Sequence, residues 1–508
     1  MTPLRITRCL LVLAALALPM LRGAHAEVPP SVARLLAEAG LSADALGLVV
    51  APAAGGERFV AHQPDRPLQT GSTMKLVTTL VALEQLGPAW RGRTRLLAAG
   101  EIRDGVLHGD LVLQGQADAD FGWQALQALL QHARHRGLVE VRGALVLDRS
   151  HFNPTRFDLD LPPFDEGPEF AYNAIPDALF ANGNLLRVDL FADDQRGLQV
   201  VPVTPLAGIR VAHEMVLVDG DCSAWDEGWQ PPRVALSHVS SAKVTPPRGA
   251  RQLEVVLRGT WPLRCDRSIE LNVIERNDFT ARLVRGLWTG MGGRWRGSVR
   301  EGKAPPEARL LAERQSRPLS ELVRAINKPS DNALTRLLLL ALGAASPGDP
   351  AEPTLQRAER AVRAWMRQRD IDDAGFVLDN GSGLSRSERA SPAQLEGLVR
   401  AGLKSRWAPE FLASLPIAGV DGSLRRRLTD SPAAGQARLK TGTLRNVVAL
   451  AGTMRDAAGQ PLVVVAMINH EGKKPREMRP VLDGVIDWVA RQRFSAPVPA
   501  AAAAAVGG

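Results

Sequence analysis

The chain has 508 residues, an excess of 62 lysines and arginines over 54 acids, a formal charge of +8 and 45% apolar residues. That length buries a large core and holds more than one domain. No basic cluster interleaved with aromatics and no Cys/His finger is present, which excludes the common nucleic-acid modules. Among nine histidines there is no His-Glu-x-x-His, which disfavours a zinc hydrolase.

The first 26 residues carry Arg5 and Arg8, an apolar run broken by Pro19, and Ala24-His25-Ala26. A basic head, a short apolar stretch and a small-residue end predict a signal peptide cut after Ala26 and export to the periplasm. No later stretch is long and apolar enough to span a bilayer. Cys9 leaves with that segment, so Cys222 and Cys265 remain as a pair in an oxidising compartment, and a disulfide is expected between them.

A short helix at about 31–39 is followed by "GLVVAPAAGGERFVAH", two apolar runs around a Gly-rich turn, which reads as a hairpin. Thr70-Gly71-Ser72-Thr73 opens a helix that runs to Leu86 and stops at Gly87-Pro88. Ser72 there has two readings. It caps the helix, or, three residues before Lys75, it is a nucleophile with its base across one turn. A second Ser-x-x-Lys, Ser240-Ser241-Ala242-Lys243, falls in strand-and-loop texture instead.

From about 89 the chain turns to short strands, with one helix near 121–135, and helical texture returns after 270. The expected division is 27–88 and 271–493 as a catalytic domain, 89–270 as a β-rich insertion, and 494–508, rich in Ala and Pro, as a disordered tail. Ser330-Asp331-Asn332 follows Pro329 at a helix junction, and Lys440-Thr441-Gly442-Thr443 starts a late run of antiparallel strands that turns at Ala458-Gly459.

Ser-x-x-Lys, Ser-x-Asn and Lys-Thr-Gly in that order, on helix start, loop and strand, are the signature of penicillin-recognising acyl-serine enzymes. About half the chain separates Ser72 from Ser330. That spacing, with "GDLVLQGQADADFG", "NKPSDN", "LDNGSGLSRSERASP", "LPIAGVDGSLRRRL" and "KTGTLRNVVALAG", resembles the class C low-molecular-mass penicillin-binding proteins, D-alanyl-D-alanine carboxypeptidase/endopeptidases. The resemblance implies an α+β fold, a transpeptidase domain with an antiparallel sheet flanked by helices and split by the insertion. It implies peptidoglycan stem peptides and crosslinks as substrates and β-lactams as inhibitors, with no metal or organic cofactor.

On this reading Ser72 attacks, and Lys75, neutralised by desolvation and by the second cation Lys440, takes its proton. Ser330 bridges the lysines and relays a proton to the leaving amine, and Asn332 holds a substrate amide. Lys440, Thr441 and Thr443 bind the terminal carboxylate, Gly442 lets substrate approach the strand, and the Ser72 and Thr443 amides form the oxyanion hole. The family's diamino-acid contacts fall on Arg386, on Arg445 where glutamine is common, on Tyr172, and on Asp165 or Glu166 in "FDEGPEFAY". The alternatives are a β-lactamase, which lacks room for the insertion, and a catalytically silent envelope-binding protein.

Overall fold

The computed structural model describes residues 28–159, 167–236 and 252–494. The expected signal peptide, the tail from 495, the second Ser-x-x-Lys at Ser240–Lys243, and Asp165 with Glu166 lie outside those residues.

Five strands, β1 (Leu46–Pro52), β2 (Val60–His62), β3 (Arg438–Leu444), β4 (Val447–Arg455) and β5 (Pro461–Asn469), form an antiparallel sheet in the order β3-β4-β5-β1-β2. Alternate residues of these strands enter two different cores. Leu48, Val50, Leu450, Val464 and Ala466 face one core, and Ala449, Ala451, Val463, Val465 and Met467 the other. Both faces are buried, which is why "PLVVVAMIN" is a continuous apolar run rather than an alternating one.

The first face is covered by helices α1 (Pro30–Glu38) and, at the chain's end, the helix Pro475–Arg491. Against the second pack α2 (Lys75–Leu86), α3 (Leu319–Asn327), α4 (Asn332–Ala345) and α5 (Pro392–Lys404). β3 is an edge strand, and the open side of that edge faces the turn that carries Ser72.

The inserted region has its own core, from Leu96 to Ala312, built on a seven-stranded sheet and two smaller ones. Its extent differs from the expected 89–270. The helix Arg276–Gly290 buries Phe279, Leu283, Leu287 and Trp288 in the inserted core. The strand Arg309–Gln315 pairs antiparallel with Arg93–Arg103. The return of helical texture at 276 therefore marks a helix of the insertion, and the catalytic half resumes only at Ser316. Cys222 and Cys265 are joined inside this region with Cα atoms 5.1 Å apart. Phe152 and Ala178 of the insertion pack on Leu337, Leu340 and Ala341 of α4, which locks the two regions together beside the cleft.

Candidate active site

Ser72 lies in a 3-10 turn, Gly71–Met74, that runs directly into α2. No side chain caps either element, so the hydroxyl of Ser72 is not used as a helix cap. It accepts instead from Lys75 Nζ at 2.9 Å. The same ammonium donates to Asn332 Oδ1 at 2.6 Å and to the carbonyl of Ser382 at 2.5 Å. Three acceptors around one buried amine fix its position, as a proton-transfer geometry requires.

Lys75 and Lys440 are both fully buried. Burial pushes Lys75 down to about 7; Asp331 and Glu388 oppose that shift, and Arg336 adds to it. Lys440 is also lowered well below the ordinary lysine range, first by burial and then by the charge of Lys75. The expected repulsion between Lys75 and Lys440 is present, and Arg336, on α4, is a further cation acting on Lys75. Desolvation is the dominant cause for both amines, and a lysine near 7 is a competent general base.

Lys440 Nζ donates to Ser330 Oγ at 2.8 Å and to the Thr441 carbonyl at 2.9 Å. Ser330 has φ +69, a left-handed conformation rare outside glycine. Two backbone bonds fix its loop, Asp331 N–H to Ile326 O at 2.9 Å and Ser423 N–H to Lys328 O at 3.0 Å. Strain of this kind persists only where the surroundings over-determine it. The contacts of Ser330 lie with Lys440 rather than bridging both lysines. Asp331 caps α4 through Leu334 N–H at 2.8 Å, which brings Asn332 to the first turn facing Lys75. The Asn332 amide is engaged at both ends, since its Nδ2 donates to the Tyr172 carbonyl at 3.1 Å; in this arrangement it orients Lys75.

Two glycines let the walls close on the serine turn. A Cβ on Gly442 would stand 2.4 Å from Thr70 O and 3.2 Å from Ser72 N. Gly442 thus admits the backbone of Thr70 and Ser72, where the sequence suggested close approach of substrate. A Cβ on Gly71 would meet Thr443 N at 2.8 Å, so the Ser72 and Thr443 amides lie side by side. Two neighbouring N–H groups next to the nucleophile are the elements of an oxyanion hole. Thr441 is buried and its hydroxyl pairs with Ser423 Oγ at 2.8 Å, while Thr443 is exposed.

The other expected contacts are exposed. Tyr172 is 42% exposed and stacks on Phe170, with ring centroids 6.1 Å apart. Arg386 and Arg445 are exposed, the latter in the tight turn between β3 and β4. Ser382, Ser423, Arg336 and Glu388 escaped the sequence reading. Ser382, Ser423 and Glu388 lie within the quoted segments "LDNGSGLSRSERASP" and "LPIAGVDGSLRRRL", which was the available signal.

A buried lysine on a serine at a helix start, faced by a second lysine on an edge strand, defines a serine acyl-transfer enzyme of the penicillin-binding-protein fold. The chain belongs to the D-Ala-D-Ala carboxypeptidase 3 (S13) family, whose model matches residues 29–489. It is 28% identical over 470 residues to a D-alanyl-D-alanine carboxypeptidase of Actinomadura sp. (strain R39), covering 88% of this chain and 82% of that one. It is 26% identical over 404 residues to a D-alanyl-D-alanine carboxypeptidase of Haemophilus influenzae, covering 79% and 80%. The crystal structure of penicillin binding protein 4 from Haemophilus influenzae shares the fold, with a TM-score of 0.72 at 22% identity over 91% of this chain and 99% of that one.

Proposed function

We propose that this chain is a periplasmic serine D-Ala-D-Ala carboxypeptidase that also opens D-Ala-to-diamino-acid crosslinks and is trapped covalently by β-lactams. The observation that supports this reading most directly is Lys75, fully buried, lowered to about 7 and 2.9 Å from Ser72 Oγ. Neutral Lys75 takes the hydroxyl proton as Ser72 Oγ attacks the carbonyl carbon of the penultimate D-alanine. The Ser72 and Thr443 amides hold the developing oxyanion. The Ser330–Lys440 pair passes a proton to the leaving amine and is recharged by the one Lys75 took, the C–N bond breaks, and an acyl ester remains on Ser72 beside a neutral Lys75. Water then attacks that ester, Lys75 accepts its proton, and the serine is released. The carboxylate of the leaving residue lies against Lys440, Thr441 and Thr443.

Tyr172, Arg386 and Arg445 select a diamino-acid side chain, a role for which the sequence also offers Asp165 or Glu166. No helix among the described residues is long and apolar enough to cross a membrane, in keeping with action on the wall from the periplasm. Digestion of purified muropeptides read by mass tests the proposal. Loss of one D-alanine from pentapeptides and conversion of crosslinked dimers to monomers are expected; unchanged muropeptides overturn it.

A further inference from the structure

Glu388 takes no part in the chemistry described above, yet it is a fully buried carboxylate one segment away from the nucleophile. It lies in "GSGLSRSERASP", between an exposed stretch and the short strand Arg389–Ala390. Its Oε1 accepts backbone N–H bonds from Asp379 at 3.1 Å, Asn380 at 3.0 Å and Gly381 at 2.6 Å. Its Oε2 accepts from Gly383 at 2.7 Å. Burial pushes the Glu388 carboxyl up, and the backbone N–H groups oppose that shift; four donors converging on one carboxyl group are an arrangement that suits the ionised, acceptor-only form.

The segment so held, 379–383, makes two contacts with the reacting groups. The Ser382 carbonyl receives Lys75 Nζ at 2.5 Å. Gly383, at φ +78, lies so close to the serine turn that a Cβ there would stand 1.8 Å from Gly71 O and 2.7 Å from Ser72 N. Within the segment, Asn380 Oδ1 accepts from Ser382 N–H at 3.0 Å and from Ser382 Oγ at 2.5 Å. Thr78, on α2, donates to the Gly381 carbonyl at 2.8 Å.

We infer that Glu388 is a positioning residue for acyl transfer, stapling segment 379–383 so that the Ser382 carbonyl holds the Lys75 amine against Ser72. A backbone carbonyl has no charge with which to hold an amine that must become neutral, so it places the base without fixing its proton. The carboxylate contributes its field at longer range. The charged groups facing Lys75 are Asp331 and Glu388, which favour the ammonium, and Arg336 and Lys440, which oppose it. Those facing Glu388 are Asp379, Arg336 and Lys75.

The inference rests on Lys75 as the base, and that reading is tested separately by Lys75→Ala, which must abolish penicillin acylation. For Glu388 the readout is the acylation rate of a fluorescent penicillin against pH. Glu388→Gln keeps the Oε1 bonds but turns an N–H₂ toward Gly383 N–H, so the segment loosens and one negative charge is lost. The expected result is a fall of about tenfold or more at the plateau, with the acid limb displaced to lower pH by roughly 1 unit. Asn380→Ala loosens the Ser382 hook while keeping the charge, so the rate falls and the limb stays in place. A Glu388→Gln enzyme that acylates at the wild-type rate with an unmoved limb overturns the inference. Should Glu388→Gln not fold, as judged by circular dichroism, Asn380→Ala decides alone, and a wild-type rate in that variant overturns it equally.

Discussion

Asn332 donates its side-chain amide to the backbone carbonyl of Tyr172, 160 residues earlier in the chain, at 3.1 Å. Because the other end of that amide receives Lys75 at 2.6 Å, the inserted region sets the orientation of a group bonded to the proposed base. The bond uses the main chain of Tyr172, while its ring stacks on Phe170 and is 42% exposed. Tyr172→Ala should therefore leave penicillin acylation within about twofold, while turnover of diamino-acid-containing peptides falls about tenfold or more. Equal loss on both, measured side by side, would mean that the ring supports the fold instead.

The acylation rate should depend on the protonation of Lys75. With its amine at about 7, the second-order rate with penicillin should fall about tenfold per pH unit below that value and level off above it. A stopped-flow series across the range checks this, and a flat profile refutes the assignment.

The same buried amine costs stability, and the sign is fixed by linkage. Unfolded, Lys75 binds its proton up to about 10.5; folded, only up to about 7. Between those values the unfolded state holds the extra proton, so stability rises with pH across that window, and the penalty is complete below it. Lys75→Met should abolish labelling yet raise the melting temperature by a few degrees at neutral pH and flatten this slope. Calorimetry at several pH values reads both.

Gly383→Ala places a methyl group 1.8 Å from Gly71 O in a left-handed backbone. The serine turn must retreat, at a cost of roughly 1–3 kcal/mol. Acylation should fall about a hundredfold or more with the protein still folded, as labelling kinetics and a thermal melt on one sample would show.

The Cys222–Cys265 bond closes a loop of 43 residues inside the insertion. Replacing both by serine should destabilise by about 2–4 kcal/mol in urea unfolding. Ser72 labelling below the transition should persist, since the bond joins no residue of the cleft.

The three motifs that meet around Ser72 and Lys440 were legible because each is short and sits at an element boundary that glycine, proline and periodicity mark in the chain. The sheet was legible because strands buried on both faces have unmistakable composition, as in Pro461–Asn469. Glu388 was not legible. Inside a polar, serine-rich stretch a buried glutamate looks like a solvated one, and only the four N–H groups around it reveal the difference. The end of the insertion was missed for a related reason. The helix Arg276–Gly290 has the periodicity of any amphipathic helix, and periodicity says which face is buried but not against which sheet. The pairing of Asn332 with Tyr172 depends on tertiary approach alone, with no trace in local pattern.

The inserted region leaves and re-enters through one doorway. Gly92 O accepts from Ser316 N–H at 2.9 Å, and Gly92 N–H donates to Ser316 Oγ at 3.0 Å. The next rung pairs Arg93 with Gln315. Joining residue 92 to residue 316 would close a gap no wider than a hydrogen bond, so the whole region could be excised without rerouting the catalytic sheet. An excised chain would keep Ser72, Lys75, Ser330 and Lys440 on their own supports. It would lose the carbonyl that turns Asn332 toward Lys75, and the packing of Phe152 and Ala178 on α4.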